Sequence, residues 1–164
     1  MKKLHLIRHA KSSHTDGSLA DIDRPLNQRG VESCRVMAPQ IVKAGCGFEH
    51  VFCSPAVRAQ STIEQIAQNL PEKGIQWQLD NALYTFNAQD LLAWCQALDS
   101  SRVEVVIVGH NNALTDFCNH VSDRPIDNLP TCGYVQLVLK VSSWQALSTN
   151  SAELLSFLRP KMFE

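Results

Sequence analysis

Two histidines and two arginines occupy positions at which they could act together on a phosphate-like anion. Arg8 and His9 directly follow an apolar run near the N-terminus, and His110 follows a β-branched run and a glycine. Arg58 lies about one helical turn beyond Ser54, which follows a further apolar run. Guanidinium groups bind the oxygens of a tetrahedral dianion in bidentate fashion, and a neutral imidazole can attack phosphorus. These residue types are therefore suited to handling a phosphoryl group.

The elements that must position these residues alternate between strand-like and helix-like patterns, which is typical of βαβ units around a parallel sheet. Strands are predicted at residues 4–8, 49–53, 75–79, 103–108, 134–141 and 153–158, and helices after Asn27 and Ser54 and over residues 88–98 and 113–121. Ligands of such sheets bind outside the carboxyl ends of the strands. We predict an α/β fold, a three-layer sandwich with a mostly parallel central sheet flanked by helices, as one domain over residues 1–164.

Three local signals bear on the helix boundaries. Asn27 is a preferred capping residue and is expected to begin the first helix. Pro39 is expected to kink that helix or to split it. Ser54 followed by Pro55 predicts the start of the second helix, with Ser54 as its cap.

Length and charge exclude several classes of protein. The 164 residues are 45% hydrophobic and 19% charged, with a formal net charge of −1. This balance is typical of a soluble domain and gives no reason to expect nucleic acid or an anionic membrane as the main partner. No apolar stretch approaches the roughly 20 residues of a membrane span, and the first apolar run is too short for a signal peptide. We expect a cytoplasmic protein.

Other nucleophiles and metal sites fit the sequence less well. The six cysteines form no Cys-x-x-Cys pair, which favours reduced, buried thiols. Only four residues separate Cys53 from Arg58, too few for the loop of a thiolate phosphatase to wrap an anion. His5 and His9 have the spacing of a helical zinc pair, but they lie on a predicted strand, so we expect no metal there. The segment containing Asp21 and Asp23 is expected to be a solvated acidic loop.

Four motifs resemble those of the histidine phosphatase superfamily, also called the phosphoglycerate mutase-like family. Residues 6–12 resemble its Arg-His-Gly signature, with Ala10 in place of the usual glycine, and residues 24–30 resemble its Leu-Thr-x-x-Gly segment. Residues 54–62 match its Ser-Pro-x-x-Arg-Ala-x-x-Thr helix start, and residues 108–111 match its second-histidine strand end. The motifs occur in the family's order and span most of the chain.

The resemblance implies a role for each matching residue. His9 is the expected nucleophile and becomes phosphorylated. Arg8, Arg58 and His110 are expected to bind the phosphoryl group through the transition state, and Ser12 is expected to contact the phosphate. The same resemblance implies that neither a metal nor an organic cofactor takes part.

The length of the chain indicates a subgroup. Larger members insert a lobe that caps the site, whereas residues 68–90 have room only for a strand and a loop. Together with residues 8–12 and 129–133, this is similar to the small phosphohistidine phosphatases of the SixA type. The expected substrate is then a phosphohistidine on another protein, for example a histidine-containing phosphotransfer domain, or else a small phosphorylated molecule. We expect a monomer.

The sequence leaves the proton donor open. Residues 80–90 contain Asp80 and Asp90 but no glutamate at the place where larger members carry a general acid. Asp21, Asp23 and His110 are further candidates. An imidazole leaving group needs less help from an acid than an alcohol does, which favours a phosphoramidate substrate. A phosphatase of small phosphoesters, a phosphoglycerate mutase-type isomerase and a non-catalytic phosphoprotein-binding module remain as alternatives.

Overall fold

A computed structural model describes all 164 residues and contains one six-stranded sheet. The strands are β1 (Lys3–Arg8), β2 (Val51–Cys53), β3 (Trp77–Leu79), β4 (Glu104–Gly109), β5 (Tyr134–Leu139) and β6 (Ala152–Leu158). Their order across the sheet is β3-β2-β4-β1-β5-β6. The first four are parallel to one another, whereas β5 is antiparallel to β1 and to β6. The sheet is therefore mixed and mostly parallel, as predicted.

Four helices cover the two faces of this sheet: α1 (Gln28–Lys43), α2 (Val57–Gln68), α3 (Ala88–Gln96) and α4 (Ala113–Val121). Buried residues of α1 and α2 join one hydrophobic cluster, and those of α3 and α4 join another. Alternate residues of the central strands supply the two clusters, for example Leu6 on one face and Ile7 on the other. This is the predicted three-layer sandwich. None of its helices is both long enough and apolar enough to cross a membrane.

Two of the helix predictions had different outcomes in α1. The side chain of Asn27 accepts a hydrogen bond from the main-chain N–H of Gly30 at 2.9 Å, so the predicted cap is confirmed. Pro39 does not split the helix, because α1 continues through it to Lys43, and the expected kink stays a prediction. Pro39 lies on the exposed face of the helix, so water can reach the carbonyl group that its missing N–H leaves unpaired.

The predicted start of α2 is also wrong. The helix begins at Val57, with Ala56 at the capping position and no side-chain cap. The hydroxyl group of Ser54 is used differently: it lies 2.7 Å from Nε2 of His110 and accepts from the N–H of Ala56 at 3.2 Å. Ser54, which the sequence pattern assigns to a helix cap, therefore binds His110 at the end of the neighbouring strand β4.

The cysteines follow the prediction from their spacing. All six are buried and none forms a disulfide bond. Burial raises the pKa of Cys53 to about 12, so this residue is a neutral thiol near pH 7 and not a thiolate nucleophile.

Gly30 explains how α1 can approach the segment that follows β1. Glycine inside a helix costs about 1 kcal/mol of stability relative to alanine. Gly30 is nevertheless found in the first turn of α1, where it is buried. A Cβ atom there would overlap the main-chain oxygen of Lys11. That oxygen also accepts from the N–H of Asn27 at 3.0 Å. The missing side chain thus lets the start of α1 hold the chain just beyond His9.

We expect Gly30→Ala to lower the free energy of unfolding by about 1–3 kcal/mol, because backbone on both sides prevents the overlap from relaxing. Urea denaturation measures this. Gly17→Ala is the matched control, since nothing lies within 4 Å of a Cβ atom at that position, and its effect should stay below about 1 kcal/mol. Equal stability of the two variants would contradict the proposed close approach.

Candidate active site

The carboxyl ends of three adjacent parallel strands bring the predicted residues together. β4 lies between β1 and β2, so His9, Ser54 and His110 leave the sheet side by side. Main-chain hydrogen bonds fix the ends: the N–H of His9 donates to Gly109, and that of Ser54 donates to Val108, both at 3.0 Å. The sheet order therefore produces the convergence that the strand-end motifs predict.

The imidazole of His9 is held in one tautomer. Its Nδ1 lies 2.7 Å from the carbonyl oxygen of Ala10, and because a carbonyl only accepts, Nδ1 carries the proton. Nε2 therefore carries the lone pair, and this lone pair accepts a hydrogen bond from the Nε–H of Arg58 at 3.4 Å. Thr62 fixes Ala10 itself, since its hydroxyl accepts from the N–H of Ala10 at 2.8 Å and donates to the carbonyl of Arg58 at 2.7 Å.

Burial keeps this imidazole neutral. His9 is only 7% exposed, and the loss of water lowers its pKa to about 4. The bond to Ala10 opposes this shift, whereas the charges of Arg58 and Arg8 reinforce it. At neutral pH the side chain is therefore unprotonated at Nε2, the form that a nucleophilic attack requires.

His110 lies beside His9, with 5.3 Å between the ring centroids. Its Nε2 is bound by the Ser54 hydroxyl, and its Nδ1 is buried without a hydrogen-bond partner in the protein. Burial, followed by the effect of His9 and then of Arg58, lowers the pKa of His110 to about 3. A dianion bound between the two rings would favour their protonated forms and raise both pKa values.

The two arginines have different hydrogen-bond partners. Nη1 of Arg8 donates to the carbonyl of Leu129 at 3.0 Å, while its Nε is buried and has no partner in the protein. Arg58 is 2% exposed and donates through Nη1 and Nη2 to the main-chain oxygen and the carboxylate of Asp21, at 2.6 and 2.9 Å. Burial and the nearby charge of Arg58 lower the pKa of Arg8.

Asp21 is more than the solvated loop residue that we expected. Its side chain is 47% exposed, yet its carboxylate also accepts from the hydroxyl of Tyr84 at 2.6 Å and from Arg24 at 3.0 Å. Desolvation acts to raise the pKa of Asp21, but the hydrogen bonds from Tyr84, Arg58 and Arg24 outweigh it and hold the pKa well below its usual range. Asp21 therefore positions Arg58 and is a poor proton donor near pH 7.

Asp80 and Asp90, two of the other candidate acids, lie in structural hydrogen bonds. Asp80 accepts from the indole N–H of Trp94 at 2.8 Å and from the N–H of Ala82 at 2.9 Å. Asp90 accepts from the hydroxyl of Thr85 at 2.6 Å.

Ser12 lies at the edge of the group. It is buried, and its hydroxyl accepts from Nη1 of Arg24 at 2.8 Å. That contact leaves its own proton free to be donated, so its predicted contact with phosphate stays a prediction. Arg24 links Ser12 to Asp21 and was not predicted as a site residue, although it begins one of the family motifs.

Two aromatic rings form one wall of the site. The rings of Tyr84 and Phe86 each lie 5.4 Å from that of His110. Phe86 is 50% exposed. No spacing rule connects residues 84–86 with strand ends elsewhere, so the sequence contained no signal for this wall. Between Gln68 and Ala88, where α3 begins, the chain forms only β3 and two short 3₁₀ turns, and no lobe covers the site.

His5 and His9 do not share a site. Nδ1 of His5 lies 2.6 Å from the hydroxyl of Tyr134, and its Nε2 lies 3.2 Å from the carboxylate of Glu104. His5, Glu104 and Cys46 each offer one atom that could bind a metal ion, and these three atoms lie within 4.8 Å of one another. His5 lies within β1, Glu104 begins β4 and Cys46 precedes β2, so this group is separate from the strand ends that carry the candidate active site.

Sequence comparison bears on the family of this chain. The model of the histidine phosphatase superfamily, branch 1, matches residues 4–92, which is more than half of the chain. An uncharacterised protein of Mycobacterium leprae is 28% identical over 94% of this chain and its own full length.

Solved structures show the same fold. A candidate SixA phosphohistidine phosphatase from Nakamurella multipartitia is 21% identical with a TM-score of 0.80, covering 97% of this chain and 96% of its own. The protein histidine phosphatase SixA complexed with tungstate is 16% identical with a TM-score of 0.80, covering 99% of both chains. A mycobacterial glucosyl-3-phosphoglycerate phosphatase is more distant, at 13% identity and a TM-score of 0.68 over 94% of this chain and 97% of its own.

The low pKa of His9 predicts the pH at which activity falls on the acid side of the pH profile. Because His9 stays neutral above about pH 4, kcat/KM should fall through protonation of the nucleophile only below about pH 5, well under the ordinary value of about 6.5 for histidine. The measurement is kcat/KM against pH, corrected for ionisation of the substrate. An acid limb centred at or above 6.5 would contradict the burial of this imidazole.

Asp21→Asn should lower kcat/KM about tenfold, because Arg58 loses a charge-assisted hydrogen bond. The alkaline limb of the pH profile should not move, since Asp21 donates no proton. Asp16→Asn is the control, because Asp16 lies in the same segment and its carboxylate binds only Ser18. If Asp21→Asn instead removed the alkaline limb, Asp21 would be the general acid and its assignment as a positioning residue would be wrong.

Proposed function

Because the chain belongs to the histidine phosphatase superfamily, we propose that it hydrolyses a phosphoryl group through a covalent phosphohistidine at His9, and that its substrate is a phosphohistidine on another protein. The observation that carries this proposal is the state of His9: Nδ1 is tied to Ala10, and Nε2 is unprotonated beside two arginines and a second histidine. A site built only to bind phosphate has no need of a nucleophile in this state.

The first half of the reaction transfers the phosphoryl group to the enzyme. Nε2 of His9 attacks phosphorus in line with the leaving group, an N–P bond forms, and the bond to the leaving nitrogen breaks. The departing imidazole keeps the electron pair of that bond and takes a proton from solvent. Water then attacks the phosphorus of phospho-His9, inorganic phosphate leaves, and Nε2 is regenerated.

Positioning and charge supply the catalysis. Nε of Arg8 is buried without a partner in the protein and can donate to an equatorial oxygen. Nδ1 of His110, also buried without a partner, donates in the tautomer in which Ser54 donates to Nε2. Arg58 adds its charge beside Nε2, and Asp21 holds it there. Such preorganised donors act in a site with little water, where each is worth about 10²–10³-fold in rate.

The surroundings of the site favour a phosphoramidate on a protein. An alkyl phosphate needs a general acid for its leaving alkoxide, and Asp21, Asp80 and Asp90 are each held in other hydrogen bonds. The absence of a capping lobe leaves room for a side chain that stands on a large partner. We propose a phosphorylated protein, such as a histidine-containing phosphotransfer domain, as that partner, and a cytoplasmic monomer as the active form.

We expect His9→Ala to lower turnover by roughly 10³-fold or more and to abolish the labelled phosphoenzyme in acid-free trapping, because the substitution removes the nucleophile. His50→Ala, which changes a half-buried histidine directly before β2, at the opposite end of that strand from Ser54, is the control and should keep full activity. Arg58→Ala should reduce rate and phosphate affinity together, by about 10²-fold in kcat/KM. Full activity of His9→Ala would refute the mechanism.

Paired substrates test the substrate class. A phosphohistidine peptide should be hydrolysed with a kcat/KM at least tenfold above that of an alkyl phosphate, since only the alkyl phosphate needs an acid. The reverse order would favour a phosphatase of small phosphoesters. Interconversion of 2- and 3-phosphoglycerate in place of hydrolysis would identify an isomerase.

A further inference from the structure

A second group of basic side chains lies beside the catalytic residues. Lys11, Arg29, Arg159 and Lys161 line a cavity of about 360 Å³. All four are exposed, and no carboxylate oxygen lies within ion-pair distance of any of them. The proposed reaction uses none of the four, so their clustering calls for a different explanation.

The topology of the sheet places this cavity at the same edge as His9. β6 runs in the same direction as β1, because each is antiparallel to β5. Arg159 directly follows β6, and Lys11 is the third residue after β1. Lys11 is two residues beyond His9, which corresponds to roughly 7 Å of extended chain. The cavity therefore flanks the active site on the side opposite to the wall of Tyr84 and Phe86.

The rim of the cavity is held firmly. The start of α1 packs directly on the main chain of Lys11 through Gly30. Pro130 and Thr131, on the other side, belong to the loop whose Leu129 carbonyl supports Arg8. The main chain at Lys11 and the loop at Pro130 and Thr131 are therefore fixed relative to the phosphoryl site.

The chemistry of the lining selects an anion. Apart from two prolines, every side chain of the lining is polar or charged, so an apolar ligand gains little there. Cations outnumber the two carboxylates, those of Asp127 and Glu164, two to one, in a chain whose formal net charge is −1. Unpaired cations concentrated in this way attract a negatively charged partner.

We propose that this basic pocket binds carboxylates of the substrate protein that flank its phosphorylated side chain. The inference rests on the proposed function and adds that the substrate carries acidic residues next to the phosphohistidine. A polypeptide whose phosphorylated side chain lies at His9 extends from it by about 3.3 Å per residue, whereas a small phosphoester has no flanking residues that could enter the basic pocket. Asp127 and Glu164 disfavour a nucleic-acid backbone, which would bring a phosphate close to both.

Two phosphohistidine peptides that differ only in their flanking residues, glutamate or glutamine, provide the test. The variants are Arg29→Gln, Lys161→Gln and the double variant. Lys43→Gln is the matched control, since Lys43 is exposed in the last turn of α1, about 21 Å along the helix from Arg29. The phosphoramidate ion, which has no flanking groups, serves as the small substrate.

The wild-type protein should prefer the glutamate peptide about tenfold in kcat/KM, through KM, and the preference should shrink at high salt. Each single substitution should reduce it about threefold, and the double variant should lose it, while turnover of phosphoramidate stays unchanged. Equal rates for both peptides, with no effect of the variants, would overturn the inference and leave the proposed function intact. Tighter binding of a single-stranded RNA than of the glutamate peptide would also overturn it.

A binding experiment separates this inference from the proposed reaction. Fluorescence anisotropy of an unphosphorylated glutamate peptide measures the pocket alone. Binding that is lost in the double variant but kept in Lys43→Gln supports the pocket even if neither phosphopeptide is hydrolysed, in which case only the proposed function fails. No binding to the wild-type protein, together with equal hydrolysis of both phosphopeptides, would refute the pocket.

Discussion

The site depends on one buried guanidinium group, that of Arg58, and one half-buried guanidinium group, that of Arg8, beside one neutral imidazole. Arg8 and Arg58 repel each other, and burial together with this repulsion lowers the pKa of Arg8. Such an arrangement is unfavourable in the free protein unless part of the charge is balanced. Asp21 balances Arg58, and the carbonyl of Leu129 supports Arg8. Nε of Arg8 and Nδ1 of His110 remain without hydrogen-bond partners in the protein. We expect a bound dianion to balance the remaining positive charge.

The same burial explains the reactivity that we assign to His9. The loss of water and the charges of two nearby arginines make protonation of this imidazole unfavourable, while the bond from Nδ1 to the carbonyl of Ala10 leaves the lone pair on Nε2. Thr62 connects this carbonyl segment to α2, the helix that also carries Arg58. The nucleophile and the group that stabilises its product are therefore positioned by one helix.

Much of this arrangement could be predicted from the sequence. The order of strands and helices, the strand ends that carry His9 and His110, and the helix that carries Arg58 all follow from local patterns of apolar residues. The predicted start of α2 was wrong because the prediction considers only the neighbours of Ser54 in sequence, whereas Ser54 binds His110, which is 56 residues away. Asp21, Arg24 and the wall of Tyr84 and Phe86 join the site through contacts between loops, which no periodicity encodes. The single-domain prediction and the assigned roles of the site residues stay predictions.

A crystal structure of the protein with vanadate tests the central claim most directly, because vanadate adopts the geometry of phosphorus during in-line transfer. We expect vanadium bound to Nε2 of His9, with equatorial oxygens contacting Arg8, Arg58 and His110. A vanadate bound elsewhere, or any of these four side chains turned away from it in the complex, would contradict the assignment of this chain as a phosphohistidine-forming enzyme.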